Sequence, residues 1–335
     1  MRDISETSVA VVGGAGFLGS HLVNYLIDER DCRVTVIDNL VVGKREFVHP
    51  KAYFVHHDIT ASESRLKNIL EQNGVQYVFN YAAYPYIPDS FARPIHVCDV
   101  NFLGAAKVIN AATEAGCKGI LQVSSAEIYG GSDTEPEEVT KLDESAKVNP
   151  HSSYGVSKAA VDSMVQVRWK ENKTPCIALR QFNCVGERET HPYIVPEIIS
   201  QLYPQRHQAE AEVYLGNNST RDFLYAGDAV RMAVELLEKG QFGEVYNLGS
   251  ESSIKMYDLA EMIGKVLFIN ILNRPSMHLQ IYQDPKRIRP WEIWHLQSDN
   301  SKIYSVIESR PEVSLFEAIR KTITYYSEHQ KWGWE

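Results

Sequence analysis

A tyrosine and a lysine four residues apart form the most reactive combination in the sequence. They stand in the stretch Tyr154-Gly155-Val156-Ser157-Lys158, and residues at this spacing share one face of a helix. A nearby ammonium group stabilises a phenolate, which lowers the pKa of the phenol towards values suited to removing a proton from an alcohol. The spacing therefore predicts Tyr154 as a base and Lys158 as its supporting cation.

Two hydroxyl groups end the apolar stretch that precedes this predicted helix. The stretch is Leu121-Gln122-Val123-Ser124-Ser125, and its composition is typical of a buried strand. In open α/β sheets the carboxyl ends of the strands deliver side chains to the ligand crevice. We therefore expect Ser125 to hydrogen-bond the same alcohol oxygen that Tyr154 deprotonates.

A glycine-rich turn near the start of the chain is suited to hold a dinucleotide. The stretch Gly13-Gly14-Ala15-Gly16-Phe17-Leu18-Gly19 lies between a predicted strand and a predicted helix. Missing side chains permit a tight turn and bring backbone N–H groups close to a pyrophosphate. Asp38 ends the next predicted strand about 20 residues further on, where a carboxylate binds ribose hydroxyls and repels a 2′-phosphate. We therefore predict NAD rather than NADP as the cofactor.

Alternating strands and helices must position these groups. Strands with two apolar faces, each joined to the next by a helix, form a parallel sheet that the crossover helices cover on both sides. The sequence therefore predicts an α/β fold with a doubly wound, Rossmann-like parallel sheet. The predicted strands are 9–12, 33–38, 53–58, 77–82, 119–124 and 176–182, and the predicted helices between them are 17–30, 62–72, 95–115 and 154–171.

The alternation weakens beyond about residue 185, which indicates a second domain. Segments rich in Pro, Gln, His and Arg cover 190–225 and 273–300, with predicted helices at 228–237, 256–267 and 315–327 and a strand at 244–248. We predict an NAD-binding domain of residues 1–184 together with about 226–250. A smaller, interleaved α/β substrate domain is predicted for residues 185–225 and 251–335.

Composition excludes several classes of partner. The chain has 335 residues, 44% of them hydrophobic, and a formal net charge of −9, which disfavours nucleic acid binding. No apolar stretch approaches the roughly 20 residues that a membrane helix needs, so we predict a cytoplasmic protein that does not enter a membrane. The five cysteines form no CxxC pair, and His56 and His57 are neighbours on a strand that point to opposite faces. No metal site is predicted.

The ordered motifs of the chain resemble those of the extended short-chain dehydrogenase/reductase family over nearly its whole length. These motifs are GGAGFLGSHL, VIDNL, NYAA, VNFLG, VSSAEIYG, SSYGVSKAAVD, LRQFN and TRDFLYAGD. Members of this family convert nucleotide-diphosphate sugars with tightly held NAD, as 4-epimerases, 4,6-dehydratases or decarboxylases. The resemblance thus implies a sugar substrate of this class. It also implies a homodimer, because helices similar to 95–115 and 154–171 pair across a dimer interface in relatives.

The resemblance assigns roles to individual residues. Ser125, Tyr154 and Lys158 correspond to the catalytic triad, and Tyr84 and Ser90 follow the fourth strand, where they would line the sugar pocket. Substrate contacts near the diphosphate fall on Asn183, Arg221 and Arg289, and arginine suits a diphosphate because its guanidinium offers several fixed donors. The implied cofactor contacts are Gly13, Gly16, Phe17, Leu18, Gly19, Asp38, Asn39, Asp58, Ile59, Ala82, Ala83, Asn101, Tyr154 and Lys158.

Glu127 is the residue that separates the possible reactions. On an extended segment it shares a face with Ser125, and relatives that eliminate water carry Glu at this place. Once C4 of the sugar is a ketone, a carboxylate there can abstract the C5 proton so that the C6 hydroxyl departs. We therefore predict a 4,6-dehydratase in which Glu127 serves as base and, once protonated, as acid.

Other reactions stay open at this point. Ala126 stands where the dTDP-glucose 4,6-dehydratases have an Asp that protonates the leaving hydroxyl, whereas GDP-mannose dehydratases manage with Ser-Glu. A 4-epimerase needs no acid or base besides the tyrosine, and decarboxylases of UDP-glucuronate also carry the glutamate. A non-catalytic NAD-binding scaffold would require a broken triad, and here the triad is complete.

Overall fold

A seven-stranded parallel sheet, covered by helices on both faces, forms the centre of the protein. The computed structural model describes residues 2–130, 140–190, 192–275, 278–288 and 292–329. Its order of strands is β10-β6-β5-β4-β1-β2-β3, and every neighbouring pair is parallel. The strands of the protein are β1 (Ser8–Val12), β2 (Arg33–Asp38), β3 (Tyr53–His56), β4 (Tyr77–Asn80), β5 (Gly119–Ser125), β6 (Cys176–Gln181), β7 (Asn183–Val185), β8 (Glu210–Leu215), β9 (Thr220–Tyr225), β10 (Val245–Leu248), β11 (Ser253–Lys255) and β12 (His278–Gln283).

Helices cross over the sheet between successive strands and bury its two faces. One apolar core includes Leu22, Val36 and Met232, and the core on the other face includes Leu66, Val78 and Ile109. The helices are α1 (Phe17–Asp28), α2 (Glu63–Gln72), α3 (Ile87–Ala92), α4 (Pro94–Cys98), α5 (Ala105–Glu114), α6 (Ser153–Asn172), α7 (Ile194–Leu202), α8 (Ala226–Lys239), α9 (Met256–Gly264), α10 (Ser301–Tyr304) and α11 (Leu315–Glu328). The predicted doubly wound, Rossmann-like fold is therefore confirmed.

The order of the strands determines where a ligand binds. The chain moves outward in one direction from β1 through β2 to β3 and then returns to β4 on the other side of β1. Ligands in such sheets bind outside the carboxyl ends of the strands at this point of reversal. Val12, the last residue of β1, pairs with Ile37 and with Asn80, so the ends of three strands are level there.

A smaller body of sheet and helix is built from the later part of the chain. Strand β9 pairs with β7 in parallel and with β11 in antiparallel orientation, and β8 pairs with β12. A separate apolar core joins these strands to α7, α9 and α11 and includes Val213, Leu259 and Ile319. Strand β10 adds to the edge of the large sheet. The domain limits predicted above remain our interpretation.

The region after β4 departs most from the predicted elements. The helix predicted for 95–115 begins at Pro94 and contains a wide turn, Asp99–Gly104, of π-helical geometry. The segment that we treated as a loop also contains the short helix α3. A π-helical turn cannot be recognised from apolar periodicity because it adds a residue to a single turn only.

Candidate active site

A cleft of about 730 Å³ opens at the carboxyl ends of β1, β4 and β5. The glycine turn, Ser125, Tyr154 and Arg221 all contribute to its wall. A cleft of this size accommodates a bound cofactor or substrate. Other predicted site residues at its wall are Gly16, Phe17, Leu18, Gly19, Asp38, Asn39, Asp58, Ile59, Ala82, Ala83, Tyr84, Glu127, Lys158 and Asn183.

The geometry of the glycine turn fits a dinucleotide. Gly13 has φ +80°, and a Cβ atom there would lie 2.6 Å from the backbone nitrogen of Ala82. A Cβ atom on Gly19 would collide with the carbonyl oxygen of Gly13, whereas one on Gly16 would meet only that oxygen, at 3.3 Å. Helix α1 begins at Phe17 without a capping side chain, so its first N–H groups are available to a phosphate.

Asp38 joins the glycine turn to the end of β2. Its Oδ2 accepts a hydrogen bond from the backbone of Ala15 at 3.0 Å, and its Oδ1 accepts one from Leu40 at 2.8 Å. Burial raises the pKa of this carboxyl, and the backbone donors oppose that rise. Carboxylate oxygens have further lone pairs, so the predicted contact with the ribose hydroxyls stays a prediction.

Asn39 and Asp58 are joined by a hydrogen bond at the wall of the cleft. Asn39 donates to Asp58 Oδ2 at 2.9 Å, and Asp58 Oδ1 accepts from the backbone of Thr60 at 2.8 Å. Burial tends to raise the pKa of Asp58, but the hydrogen bonds from Thr60 and Asn39 outweigh it and the pKa is lowered. The carboxylate therefore stays charged and keeps the two loops together.

Ser125, Glu127 and Tyr154 meet deep in the cleft. Ser125 ends β5, and its Oγ accepts a hydrogen bond from the backbone N–H of Glu127 at 3.2 Å. Helix α6 carries Tyr154 in its first turn because the side chain of Ser152 caps the helix by accepting from Gly155 at 3.0 Å. Burial raises the pKa of Tyr154 to about 12, with a hydrogen bond to Ser125 lowering it and the charge of Glu127 raising it.

The expectation that Lys158 alone lowers the pKa of Tyr154 is wrong for the free chain. Lys158 Nζ lies 5.8 Å from the centre of the Tyr154 ring and donates to the carbonyl oxygen of Val123 at 3.0 Å. Burial lowers the pKa of Lys158 to about 8, against the effect of Asp162, which is itself paired with Arg180 at 2.6 Å. Burial thus dominates the pKa of the phenol, and the distant ammonium does not offset it.

The pKa of Lys158 predicts the alkaline side of the pH profile. Below about pH 8 the ammonium group is charged and supports the phenolate, and above that value it loses its proton. We expect kcat to fall as the pH rises through about 8, measured with saturating substrate between about pH 6 and about pH 10. Lys158→Arg keeps its charge and should shift this fall to higher pH. A wild-type kcat that keeps rising through this range would contradict the prediction.

The predicted site residues in and after the loop that follows β4 differ in whether they reach the wall of the cleft. Tyr84 borders the cleft and donates from its hydroxyl to Asp89 at 2.7 Å. Ser90 is fully buried and does not reach the cleft wall. Asn101 also lies behind the wall, where its Oδ1 accepts from the backbone of Tyr84 at 2.6 Å. Because its amide is used by this loop, Asn101 positions Tyr84, and it is not among the residues that line the cleft.

Arg221 forms an ion pair at the wall of the cleft. Arg221 Nη2 lies 3.0 Å from Glu292 Oε1, and both side chains are nearly buried. Arg287 forms a second pair there, with Glu197 at 2.6 Å. Arg289, the further arginine that we predicted, lies outside the described residues. A diphosphate at Arg221 would therefore approach a guanidinium that already has a carboxylate partner.

Several residues at the wall were not predicted from the sequence. Gln181 ends β6 directly opposite Ser125, and its position follows from the rule that strand ends face the ligand. Glu189 and Tyr193 reach the wall from the segment that joins β7 to α7. No local sequence pattern identifies these two residues, because the segment that carries them meets the large sheet only in the folded chain.

Known proteins share both the sequence pattern and the fold. The model of the NAD dependent epimerase/dehydratase family matches residues 9–249. The chain is 30% identical over 331 residues to mouse dTDP-D-glucose 4,6-dehydratase, covering 95% of this chain and 88% of that protein. UDP-glucose 4-epimerase of Thermotoga maritima, solved with UDP-glucose, is 25% identical with a TM-score of 0.84, covering 96% and 99% of the two chains.

A second solved structure carries the cofactor that the glycine turn predicted. It is dTDP-glucose 4,6-dehydratase of Streptomyces venezuelae with NAD and TYD bound, 25% identical with a TM-score of 0.83 over 98% of this chain and 99% of that one. Among the described residues, no helix is long and apolar enough to cross a membrane. The family match and the complete glycine turn together confirm NAD as the cofactor. This chain is an enzyme of the NAD dependent epimerase/dehydratase family.

Proposed function

We propose that this protein is a nucleotide-sugar 4,6-dehydratase. The observation that carries the proposal is a carboxylate, Glu127, held beside Ser125 and close enough to Tyr154 for its charge to raise the pKa of that phenol. A 4-epimerase has no use for this carboxylate, because it removes hydrogen from one carbon and returns it to the same carbon. The dehydratases among the relatives support the same assignment.

The residues of the site divide the reaction between them. NAD, held by the glycine turn and Asp38, would supply a hydride acceptor for C4 of the sugar and a hydride donor for C6. Tyr154 takes the proton of the C4 hydroxyl, while Ser125 hydrogen-bonds the same oxygen and Lys158 contributes positive charge. The resulting ketone acidifies the C5 proton, which Glu127 removes. The C6 hydroxyl needs a second proton to depart as water, because the proton on Glu127 returns to C5.

The part of the cleft around Arg221 suits a nucleoside diphosphate. Arg221 supplies planar guanidinium donors, and Asn183, at the start of β7, lines the same cleft. Glu292 forms an ion pair with Arg221. Once a diphosphate binds to the arginine, the carboxylate of Glu292 can accept hydrogen bonds from hydroxyl groups. We infer that the substrate is a nucleotide-diphosphate sugar, with its sugar towards Tyr154.

A 4-epimerase is the second candidate, and Ala126 is the residue that favours it. The methyl group of Ala126 cannot protonate a leaving hydroxyl, and epimerases occur among the similar proteins. Epimerisation requires only the proton transfer of Tyr154. A decarboxylase of the UDP-glucuronate type would also use the carboxylate at position 127.

Product mass separates these reactions. The purified protein with NAD is incubated with UDP-, GDP-, dTDP- and CDP-sugars, and the products are followed by mass spectrometry. Loss of one water supports the dehydratase, and loss of carbon dioxide would identify a decarboxylase. A product of unchanged mass with inverted C4 would instead establish the epimerase and refute our proposal.

We propose a homodimer formed through the helices next to the active site. Exposed apolar side chains stand on the α4 to α6 region, including Ile95 at 81% exposure, together with Leu103, Val156 and Val167. Ile95→Asp is expected to convert the dimer into a monomer in light scattering, because a charge buried in an apolar interface is costly. The control variant Tyr53→Asp changes another exposed apolar side chain, on β3, and should stay dimeric. A monomeric wild-type protein would contradict the prediction.

A further inference from the structure

A buried glutamate borders the cleft and has no part in the reaction described above. Glu189 lies between β7 and α7, where its backbone N–H donates to the carbonyl oxygen of Gly186 at 3.3 Å. Its side chain is 1% exposed and forms part of the same wall as Glu127 and Tyr154. Within the described part of the chain, its Oε2 has no hydrogen-bond partner. A buried polar atom without a partner is costly, so the arrangement indicates a group kept for a ligand.

The surroundings keep this carboxyl group neutral. Burial raises the pKa of Glu189 well above its usual range, against the weaker effect of the hydrogen bond with Gly186. Among the described residues, no ion pair neutralises Glu189. A neutral carboxyl group carries an O–H donor, which a glutamate in water at neutral pH lacks.

Tyr193 lies near both Glu189 and Tyr154. The charges of Tyr154 and of Glu189 both raise the pKa of Tyr193, which is also raised by burial. Tyr193 itself borders the cleft, so the three side chains enclose one part of it. Glu127 lies near Tyr154 as well. The two carboxyl groups therefore lie near neighbouring tyrosines, Glu127 near Tyr154 and Glu189 near Tyr193.

Elimination of water needs a base and an acid in opposite protonation states. The base must be ionised when it takes the C5 proton, and the acid must be protonated when the C6 hydroxyl leaves. Glu127 can act as base and as acid only one after the other. The proton that it gave to the leaving hydroxyl would then be missing when C5 is reprotonated. Ala126 offers no alternative. A second, neutral carboxyl group removes this conflict.

We propose that Glu189 is the acid that protonates the departing C6 hydroxyl, an assignment that rests on the proposed dehydratase function. The C6–O bond breaks, and its electron pair stays on the oxygen, which takes the proton of Glu189 and leaves as water. The electron pair of the C5–H bond forms the C5–C6 double bond, and its proton stays on Glu127 until it returns to C5. The proton that Tyr154 took from the C4 hydroxyl restores Glu189 between turnovers, and Tyr193 lies near both groups.

Glu189→Gln tests the assignment because the amide has nearly the same shape but no acidic proton. We expect water loss to slow by about 10² to 10⁴, the usual contribution of a general acid. The earlier steps should continue, so reduced cofactor forms at an unchanged rate. In D₂O the recovered substrate should gain deuterium at C5, since Glu127 still exchanges that proton. The matched variant Glu187→Gln changes a neighbouring glutamate that accepts from Tyr225 at 3.1 Å and should dehydrate normally.

A substrate with a better leaving group provides the decisive readout. Fluoride departs from a 6-deoxy-6-fluoro nucleotide sugar without being protonated, so this substrate does not need the acid. Glu189→Gln should convert it at close to the wild-type rate, and a merely structural defect would slow both substrates alike. If Glu189→Gln does not fold, Glu189→Asp withdraws the acid by one methylene and should show the same preference for the fluoro substrate.

The outcomes separate this assignment from the function on which it rests. A wild-type enzyme that dehydrates its substrate, together with an equally fast Glu189→Gln variant, overturns the role of Glu189 only. The same holds if Glu189→Gln folds but forms no reduced cofactor, or if it is slow on both substrates. A wild-type product with no loss of water overturns the dehydratase function, and this assignment with it.

Discussion

Replacement of Tyr154 by phenylalanine is expected to lower kcat by about 10³-fold or more, because the reaction loses the group that takes the C4 proton. The hydroxyl of this residue is the only part removed, and the ring stays beside Lys158. The glycine turn and Asp38 are untouched, so binding of NAD should persist. The measurement is formation of reduced cofactor after addition of substrate, together with NAD binding by calorimetry.

The control for this variant is Tyr53→Phe, which removes an exposed hydroxyl on β3. It should bind NAD and turn over substrate as the wild type does. If Tyr154→Phe also loses NAD binding, the residue acts mainly on the cofactor. If it reduces the cofactor at the wild-type rate, Tyr154 is not the base, and the mechanism proposed above fails.

Glu127→Gln is expected to abolish loss of water, with a decrease of about 10² to 10⁴ in the rate, while cofactor reduction continues. The amide cannot take the C5 proton, but Ser125 and Tyr154 still act on the C4 hydroxyl. The backbone N–H of residue 127 remains able to donate to Ser125, so the local turn should persist. Product mass and the absorbance of the reduced cofactor measure the two steps separately.

Deuterium exchange distinguishes Glu127→Gln from Glu189→Gln. Both variants should fail to release water, but only Glu189→Gln should incorporate deuterium at C5 from D₂O. Exchange at C5 in both variants, or in neither, would show that the two carboxyl groups do not divide the roles of base and acid. A dehydrated product at undiminished rate from Glu127→Gln would remove that residue from the mechanism.

Some parts of the cleft wall follow from short stretches of sequence. Gly13 requires a backbone conformation that other residues rarely adopt, and its turn lies where a strand meets a helix. Tyr154 and Lys158 share a face of α6 because four residues complete about one helical turn. The parallel sheet then brings the end of β5 to the same edge as the glycine turn. The fold class that predicts this arrangement was recognised from the alternation of strands and helices in the sequence.

Other predictions failed or were missed because they depend on neighbours distant in the chain. The ammonium of Lys158 donates to Val123, and burial governs the pKa of Tyr154. Asn101 sits in a π-helical turn and holds the backbone of Tyr84. The partner of Arg221, Glu292, lies 71 residues further along the chain.

The amino-acid sequence by itself determined the sheet, the glycine turn, the cofactor and the chemical identities of the tyrosine, lysine and glutamate. These features depend on periodicity and on spacings of a few residues, which the chain carries locally. Only the tertiary structure decided how burial shifts the pKa of each group, as with Glu189, whose pKa it raises. Protonation depends on the water that surrounding segments exclude, and those segments meet only when the chain has folded.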